Sequence, residues 1–278
     1  MAGMLYLVPT PIGNLSDISP RARKTLAEAD FIAAEDTRVT LKLLNYLEIK
    51  KPLVSYYEHN KLESGPRIVR RILEGETCAL VSDAGSPAIS DPGEDLVRLC
   101  AEAGIPVCAI PGPCAVITAL SISGLPTGRF CFEGFLSINK KSRQAHLASL
   151  KSERRTMIFY EAPHKLLATL KDLGAAFGEG RRVSLCRELT KLHEEVFRTT
   201  LGKAVRHYEE NPPRGEFVVV VEGAQEAPEA AITLEEASAL VRAEVAKGLS
   251  RKDAVKRIAM QTGLPKNALY EAALAGQP

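Results

Sequence analysis

Cys78-Ala-Leu-Val-Ser-Asp-Ala-Gly-Ser-Pro-Ala-Ile-Ser-Asp-Pro-Gly-Glu-Asp95 is the stretch around which the rest of this chain is organised. Its opening, Cys78 to Ser82, is a short apolar run with the length of a buried strand. The remainder is loop chemistry. Gly85, Pro87, Pro92 and Gly93 exclude a helix, while Asp83, Ser86, Ser90 and Asp91 supply donors and acceptors. A helix opens at Glu94. In an open α/β sheet, a loop beyond the carboxyl end of a strand is where ligands are held.

The same strand–loop–helix pattern recurs on either side. Leu5–Val8 runs into Pro9-Thr10-Pro11-Ile12-Gly13-Asn14, and Ser19 then caps a helix that has Pro20 at its first position. Phe31–Ala34 ends on Glu35-Asp36-Thr37-Arg38, and Leu53–Tyr57 ends on Glu58-His59-Asn60. Pro106–Ile110 leads into Pro111-Gly112-Pro113-Cys114-Ala115 and a helix that stops at Gly124. Five alternations predict a parallel sheet with helices on its faces and all five loops at one edge. That edge would gather Asn14, Glu35, Asp36, Arg38, Glu58, His59, Asp83 and Asp91. Neither a Walker A sequence nor GxGxxG is present. A ligand held by Gly/Pro backbone and one or two carboxylates is the better match than a phosphate cradle.

Beyond Gly124-Leu-Pro-Thr-Gly128, a hinge, the pattern changes. Arg129–Phe135, Thr156–Tyr160, Arg182–Cys186, Val196–Thr200 and Glu216–Val221 read as strands, with helices near Lys140–Leu150 and His164–Leu173. Two consecutive strands without an intervening helix predict antiparallel pairing, hence a second α/β domain with a mixed sheet. Between Lys140 and Arg155, six basic residues face the single acid Glu153, which suits either a solvated helix face or a polyanion contact. After a linker at 224–232, Thr233 with Glu236 makes a capping box, and Ser250 with Asp253 repeats the device. The turn at Gly263 then opens a third helix, in the manner of a helix-turn-helix. From Arg242 to Lys266, seven Lys/Arg stand against two acids. The expected domains are thus 1–124, 125–223 and a helical module at 233–278.

The 278 residues carry a net charge of +2 and 45% hydrophobic residues, which suits a substantial core and does not by itself demand a nucleic-acid partner. Six cysteines without CxxC spacing read as reduced thiols of a cytoplasmic protein, not as a disulfide frame or zinc site. No His/Cys/Asp cluster has ligand spacing, so no metal is expected. No apolar run reaches the length of a membrane span, and Pro9 and Pro11 cut short the first one, so neither a signal peptide nor a membrane association is expected.

VPTPIGNLSD, AAEDTR, SDAGSPAISDPG, PGPCA and FYEAPHK together resemble the tetrapyrrole-methylase superfamily, the class III S-adenosylmethionine methyltransferases. The similarity is greatest to its small-subunit ribosomal RNA methyltransferase I group, which 2′-O-methylates a cytidine in the decoding region of 16S ribosomal RNA. It covers essentially the whole chain, basic helical tail included. The resemblance implies two α/β domains with S-adenosyl-L-methionine in the cleft between them, a homodimer, and 16S rRNA or the small ribosomal subunit as partner. By the same similarity, Asp83, Ala84, Gly85, Ala88, Cys114 and Ala115 would contact the cofactor, with Glu161 and Leu189 closing the pocket from the second domain. The superfamily's glycine-rich first loop and GDP-type loop are replaced by Pro9–Asn14 and Asp83-Ala84-Gly85. A ribose hydroxyl is a weak nucleophile at neutral pH, and Glu35 or Asp36, beside Arg38, is the candidate general base; a carboxylate there also simply caps a helix. Two other classes stay open at this point. A tetrapyrrole C-methyltransferase would share the cleft and gain nothing from the basic tail, whereas a non-catalytic nucleic-acid-binding protein would use the tail and leave the loops unexplained.

Overall fold

The computed structural model describes residues 3–225 and 232–275. Two compact units divide the chain after Ala224. The first unit opens with β1 (Leu5–Leu7), α1 (Pro20–Glu28), β2 (Phe31–Ala34), α2 (Thr37–Tyr46), β3 (Leu53–Ser55), α3 (Lys61–Leu73), β4 (Cys78–Val81), α4 (Gly93–Glu102), β5 (Val107–Ala109) and α5 (Ala115–Ile122). The five strands form one parallel sheet in the order β3-β2-β4-β1-β5. The chain thus runs outward from β1 to β2 and β3, then returns to insert β4 between β2 and β1. The loops after β2, β4, β1 and β5 consequently stand side by side.

The strands are short and apolar throughout because both faces are covered. Phe31, Ala33, Cys78 and Leu80 meet Ile68 and Ile72 of α3 with Leu96 and Cys100 of α4. Their neighbours Ile32, Ala34, Ala79 and Val81 meet Leu26 of α1 and Leu44 of α2 on the other face. Each strand follows the two-residue alternation of a pleated sheet. Several close one or two residues short of the expected end, and those residues turn into the loops.

The second sheet contains β6 (Phe130–Phe135), β7 (Thr156–Glu161), β8 (Arg182–Arg187), β9 (Glu195–Thr200) and β10 (Phe217–Val221), in the order β6-β7-β10-β8-β9. β6 and β7 are parallel; the other pairs, including the consecutive β8 and β9, are antiparallel. One face carries α6 (Lys140–Ser149), α7 (Pro163–Phe177) and α8 (Leu201–Glu210), packed on Met157, Phe159, Leu185 and Val219. Two features differ from expectation. α7 continues past Leu173 to Phe177, whose ring is buried in the core of this sheet and extends the helix's apolar face by one turn. α8 was not foreseen: it begins directly after β9 with no turn residue to mark the boundary, and it is held by Leu201, Ala204 and Tyr208. The opposite face of this sheet receives α5, whose Val116, Ala119 and Leu120 pack on Ile158, Cys186, Val218 and Val220.

The second unit holds α9 (Leu234–Ala246), α10 (Arg251–Thr262) and α11 (Lys266–Ala275) around Ala237, Val241, Ile258 and Leu269. The Thr233/Glu236 capping box closes α9, and the Ser250 hydroxyl accepts the Asp253 N–H at the start of α10. Gly263 ends α10 at φ +70°, a left-handed C-cap natural to glycine. Most of the expected linker, 226–231, lies outside the described residues. Among the described residues no helix is long and apolar enough to cross a membrane.

Candidate functional site

The four adjacent loops of the first sheet are stitched into one surface. Thr10 and Gly85 exchange backbone hydrogen bonds of 2.9 and 3.0 Å, joining the loop after β1 to that after β4, and the Thr10 hydroxyl donates to Ser82 O at 3.2 Å. The Ser86 hydroxyl donates to Pro113 O at 2.9 Å, joining the β4 loop to the β5 loop. Asp83 Oδ1 accepts the Asp36 N–H at 3.0 Å, which brings in the loop after β2. Gly85 sits at φ +86°, and a Cβ on it would stand 3.3 Å from Ile12 Cγ2. It is the point at which three loops meet.

Across from these loops lies the face of the second sheet that α5 leaves uncovered. Ile12, Cys114, Ala115 and Leu189 belong to the same apolar cluster as Phe132 and Tyr160. Ser90 reaches to 3.4 Å from where a Cβ on Gly134 would be, and Gly13 is packed against Leu189, Thr190 and Lys191. The carboxyl edge of the first sheet therefore meets the β6, β7 and β8–β9 segments of the second.

Backbone strain concentrates at this junction. Ala88 (φ +68°) and Ser90 (φ +62°) lie in the β4 loop, and Glu188 (φ +50°) and Thr190 (φ +65°) lie in the β8–β9 loop. Among described non-glycine residues only Glu48 shares this left-handed geometry. Such conformations cost free energy and persist where surroundings impose them. Asp91 Oδ1 imposes one by accepting the N–H groups of Ala88 and Gly93, both at 2.8 Å. Glu188 Oε1 imposes the other, accepting from Glu216 N and Lys191 Nζ, both at 2.9 Å.

The carboxylates at this edge are not equivalent. Asp36 is the N-cap of α2: its Oδ1 accepts the Arg38 N–H at 2.8 Å, and the Arg38 guanidinium grips both oxygens, closest at 2.6 Å from Nη2. Those bonds hold its carboxyl down to about 2. Glu35 is pushed up instead, first by burial and then by the charges of Asp83 and Asp91. Asp91 is raised by burial as well. Of the pair, Glu35 is the more readily protonated and Asp36 the one engaged in structure.

The structure thus brings Glu35, Asp36, Arg38, Asp83, Ala84, Gly85 and Ala88 to one wall, with Cys114, Ala115 and Leu189 in the adjoining apolar lining. Glu161 differs. Its side chain, 6% exposed, follows Met157 and Phe159 to the far face of the sheet, where its oxygens accept from Ala162 N at 2.9 Å and Thr169 Oγ1 at 2.5 Å. Its backbone pairs with Phe217 in the sheet, and it is Tyr160 whose ring joins Cys114, Ala115 and Phe132. Strand alternation across Tyr160-Glu161 is the signal that distinguishes them. Burial, helped by the neighbouring Cys114, pushes the Tyr160 phenol up to about 12, while a hydrogen bond with the Val116 backbone pulls the other way. Asn14 caps the 3₁₀ turn Leu15–Asp17 through Ser16 N. Glu58 and His59 follow the outer strand β3 and engage Lys61 and Tyr57, away from β4. His164 lies exposed in the first turn of α7.

Residues 4–205 match the family model of tetrapyrrole (corrin/porphyrin) methylases, and residues 231–277 match that of the RsmI C-terminal HTH domain. A ribosomal RNA small subunit methyltransferase I of Synechocystis sp. is 49% identical over 98% of this chain and 98% of its own length. One of Halalkalibacterium halodurans is 50% identical over 96% of this chain and 93% of its own. The fold is shared with a uroporphyrin-III C-methyltransferase of Thermus thermophilus, solved with S-adenosyl homocysteine, at a TM-score of 0.55 and 17% identity over 78% of this chain and 97% of that one. By its methylase domain, its helical C-terminal unit and its near full-length relatives, the chain belongs to the tetrapyrrole methylase family, in its ribosomal RNA small subunit methyltransferase I branch.

Proposed function

We propose that this chain methylates the ribose 2′-oxygen of a cytidine in the decoding region of 16S ribosomal RNA, using S-adenosyl-L-methionine. The observation that carries this reading is the cross-linked set of glycine-backed loops at the carboxyl edge of the first sheet, facing an apolar wall, with Glu35 and Asp91 both raised among its four carboxylates. The residues fit the cofactor. Glu35, Asp36, Asp83 and Asp91 crowd negative charge at one edge, which a sulfonium cation would relieve, and Ile12, Cys114, Ala115, Leu189 and Tyr160 offer an apolar surface for a purine. Asp83, Ala84, Gly85 and Ala88 would hold it from the β4 loop, Cys114 and Ala115 from the β5 loop, and Leu189 with the backbone at Glu161 from the second domain. When bound, S-adenosylmethionine supplies an electrophilic methyl group.

The chain's own contribution is alignment and a proton acceptor. Loops cross-linked by Thr10–Gly85, Ser86–Pro113 and Asp36–Asp83 resist displacement, and such positioning is worth about 7–11 kcal/mol when both reactants are held. Glu35 takes the proton of the attacking hydroxyl, while Arg38 and Asp36 keep the start of α2 in place. The chain works as a homodimer in the cytoplasm, and its C-terminal unit grips RNA. The decisive test offers labelled cofactor to naked 16S rRNA, small ribosomal subunits and a tetrapyrrole precursor in parallel. Label is expected in the RNA at a ribose oxygen; label in the tetrapyrrole would overturn the reading.

Removal of everything after Ala224 is expected to spare cofactor affinity and weaken binding of the ribosomal substrate. Unit one is closed at that point: Ala224 N donates to Glu153 O at 2.5 Å, and Gly223 is wedged against Arg154 O. The lost unit carries Lys252, Lys256 and Lys266 exposed on α10 and α11. Phosphate contacts of this kind weaken with salt, so the truncated protein should show a flatter salt dependence. Unaltered affinity and slope, read by fluorescence titration at several salt concentrations, would make the helices a packing element.

A further inference from the structure

β6 carries an irregularity that re-aims one aromatic ring. The ladder with β7 pairs Phe132 with Ile158 and then Gly134 with Phe159, so Glu133 is an extra residue, and Gly134 adopts φ +63°. A bulge of this type turns the following side chain to the other face of the strand. Without it, Phe132 and Phe135 would point to opposite faces. With it, both meet Tyr160, at ring separations of 4.9 and 5.4 Å. The three rings form a row that starts beside Cys114 and Ala115 and ends in solvent, where Phe135 is 61% exposed.

The chain just beyond is equally unusual. Ile138 is 79% exposed, and the first turn of α6 then presents Lys140 and Lys141. Arg143 is committed to Asp172 at 2.7 Å and Arg155 to Glu153, but among the described residues Lys140 and Lys141 form no ion pair. An uncovered aromatic beside the β4 loop, an adjacent apolar side chain and two free ammonium groups match one kind of partner, a nucleotide with its flanking phosphates. Single-stranded RNA is recognised by stacking of splayed bases on aromatic rings, with cations along the backbone.

We propose that Phe135 is the stacking platform for the nucleobase of the methylated nucleotide or its immediate neighbour, flanked by Ile138, and that Lys140 and Lys141 hold the adjacent phosphates. This rests on the ribosomal RNA reading of the site. The bulge at Gly134 exists to place that ring on the Tyr160 face, next to Ser90 of the β4 loop, so substrate and cofactor loops share one wall. The stacked base anchors the strand and so fixes the reacting ribose relative to Glu35.

The test compares the parent chain with Phe135→Ala, Phe135→Tyr and the double variant Lys140→Ala/Lys141→Ala. Each is assayed for methyl transfer to small ribosomal subunits lacking the modification, for S-adenosylmethionine affinity by calorimetry, and for oligomeric state by sedimentation. Phe135→Ala should raise KM about ten-fold or more, Phe135→Tyr should restore it, and cofactor affinity should be unchanged in both. The double lysine variant should reduce the slope of log K against log salt by about 1.4, the value for two single-strand phosphate contacts. An unchanged KM for Phe135→Ala would overturn the proposal. So would a KM effect accompanied by a shift in oligomeric state, which would make this face a contact between copies of the chain. If the parent chain itself leaves the subunits unlabelled, the ribosomal RNA reading fails, and this proposal with it.

Discussion

Glu35→Gln is expected to lower turnover by about 10²-fold or more while leaving S-adenosylmethionine affinity near that of the parent chain. The amide keeps the shape and removes the only carboxylate of the pair free to take a proton, since Asp36 is locked by Arg38. Stability gives an independent readout. Burial and the charges of Asp83 and Asp91 raise the Glu35 pKa in the folded state, so at neutral pH its ionised form is held against the preference of the fold. Below that pKa the carboxyl is protonated and the penalty vanishes. Glu35→Gln should therefore melt at the same temperature as the parent or slightly higher. The parent's turnover should fall as pH drops through a value above the ordinary 4.5 of a glutamate, and that limb should be missing from the residual activity of the variant. Asp36→Asn is the comparison: asparagine still caps a helix, and a solvent-screened ion pair contributes little, so turnover should stay within a few-fold. Normal turnover in both amides would leave alignment as the whole of the catalysis.

The second large effect is at Gly85. Gly85→Val should abolish measurable S-adenosylmethionine binding, a loss above 100-fold. At φ +86° a β-branched side chain is strained on its own account, and the first added carbon already stands 3.3 Å from Ile12 Cγ2 and 3.8 Å from Pro113 O. The loops after β1, β4 and β5 converge there, so relief of the clash displaces all three. Left-handed strain of about 1–2 kcal/mol should lower the melting temperature by only several degrees in a unit of this size. The variant thus separates binding from folding. Calorimetric titration beside a thermal melt checks it, and parental affinity would place the cofactor elsewhere.

Much of this architecture stems from local chemistry. Short apolar runs ended by Gly/Pro loops and followed by capped helices specify a parallel sheet, because only crossover helices can cover both faces of such strands. The β8–β9 pairing and the Thr233/Glu236 capping box were likewise legible, each being set by residues close in sequence. α8 was not, since its first residue comes directly after a strand with no turn-forming residue between them.

What only the tertiary structure decided is non-local. The insertion of β4 between β2 and β1 depends on pairing across some 70 residues of chain, and it is what sets Asp83 beside Asp36 and Gly85 beside Thr10. Glu35 and Asp36 are neighbours with one chemistry in the sequence. They differ in the fold because Arg38 reaches one while Asp83, Asp91 and burial act on the other. The family resemblance offered Glu161 as a residue closing the pocket from the second domain, but the pleat turns that side chain to the far face, where Thr169 donates to it, and presents Tyr160. Phe135 joins Tyr160 only because a one-residue bulge reverses the alternation at Gly134. Local propensity sets which elements form; the direction in which a particular carboxylate or ring points, and the field it experiences, comes from partners that the chain brings up from elsewhere.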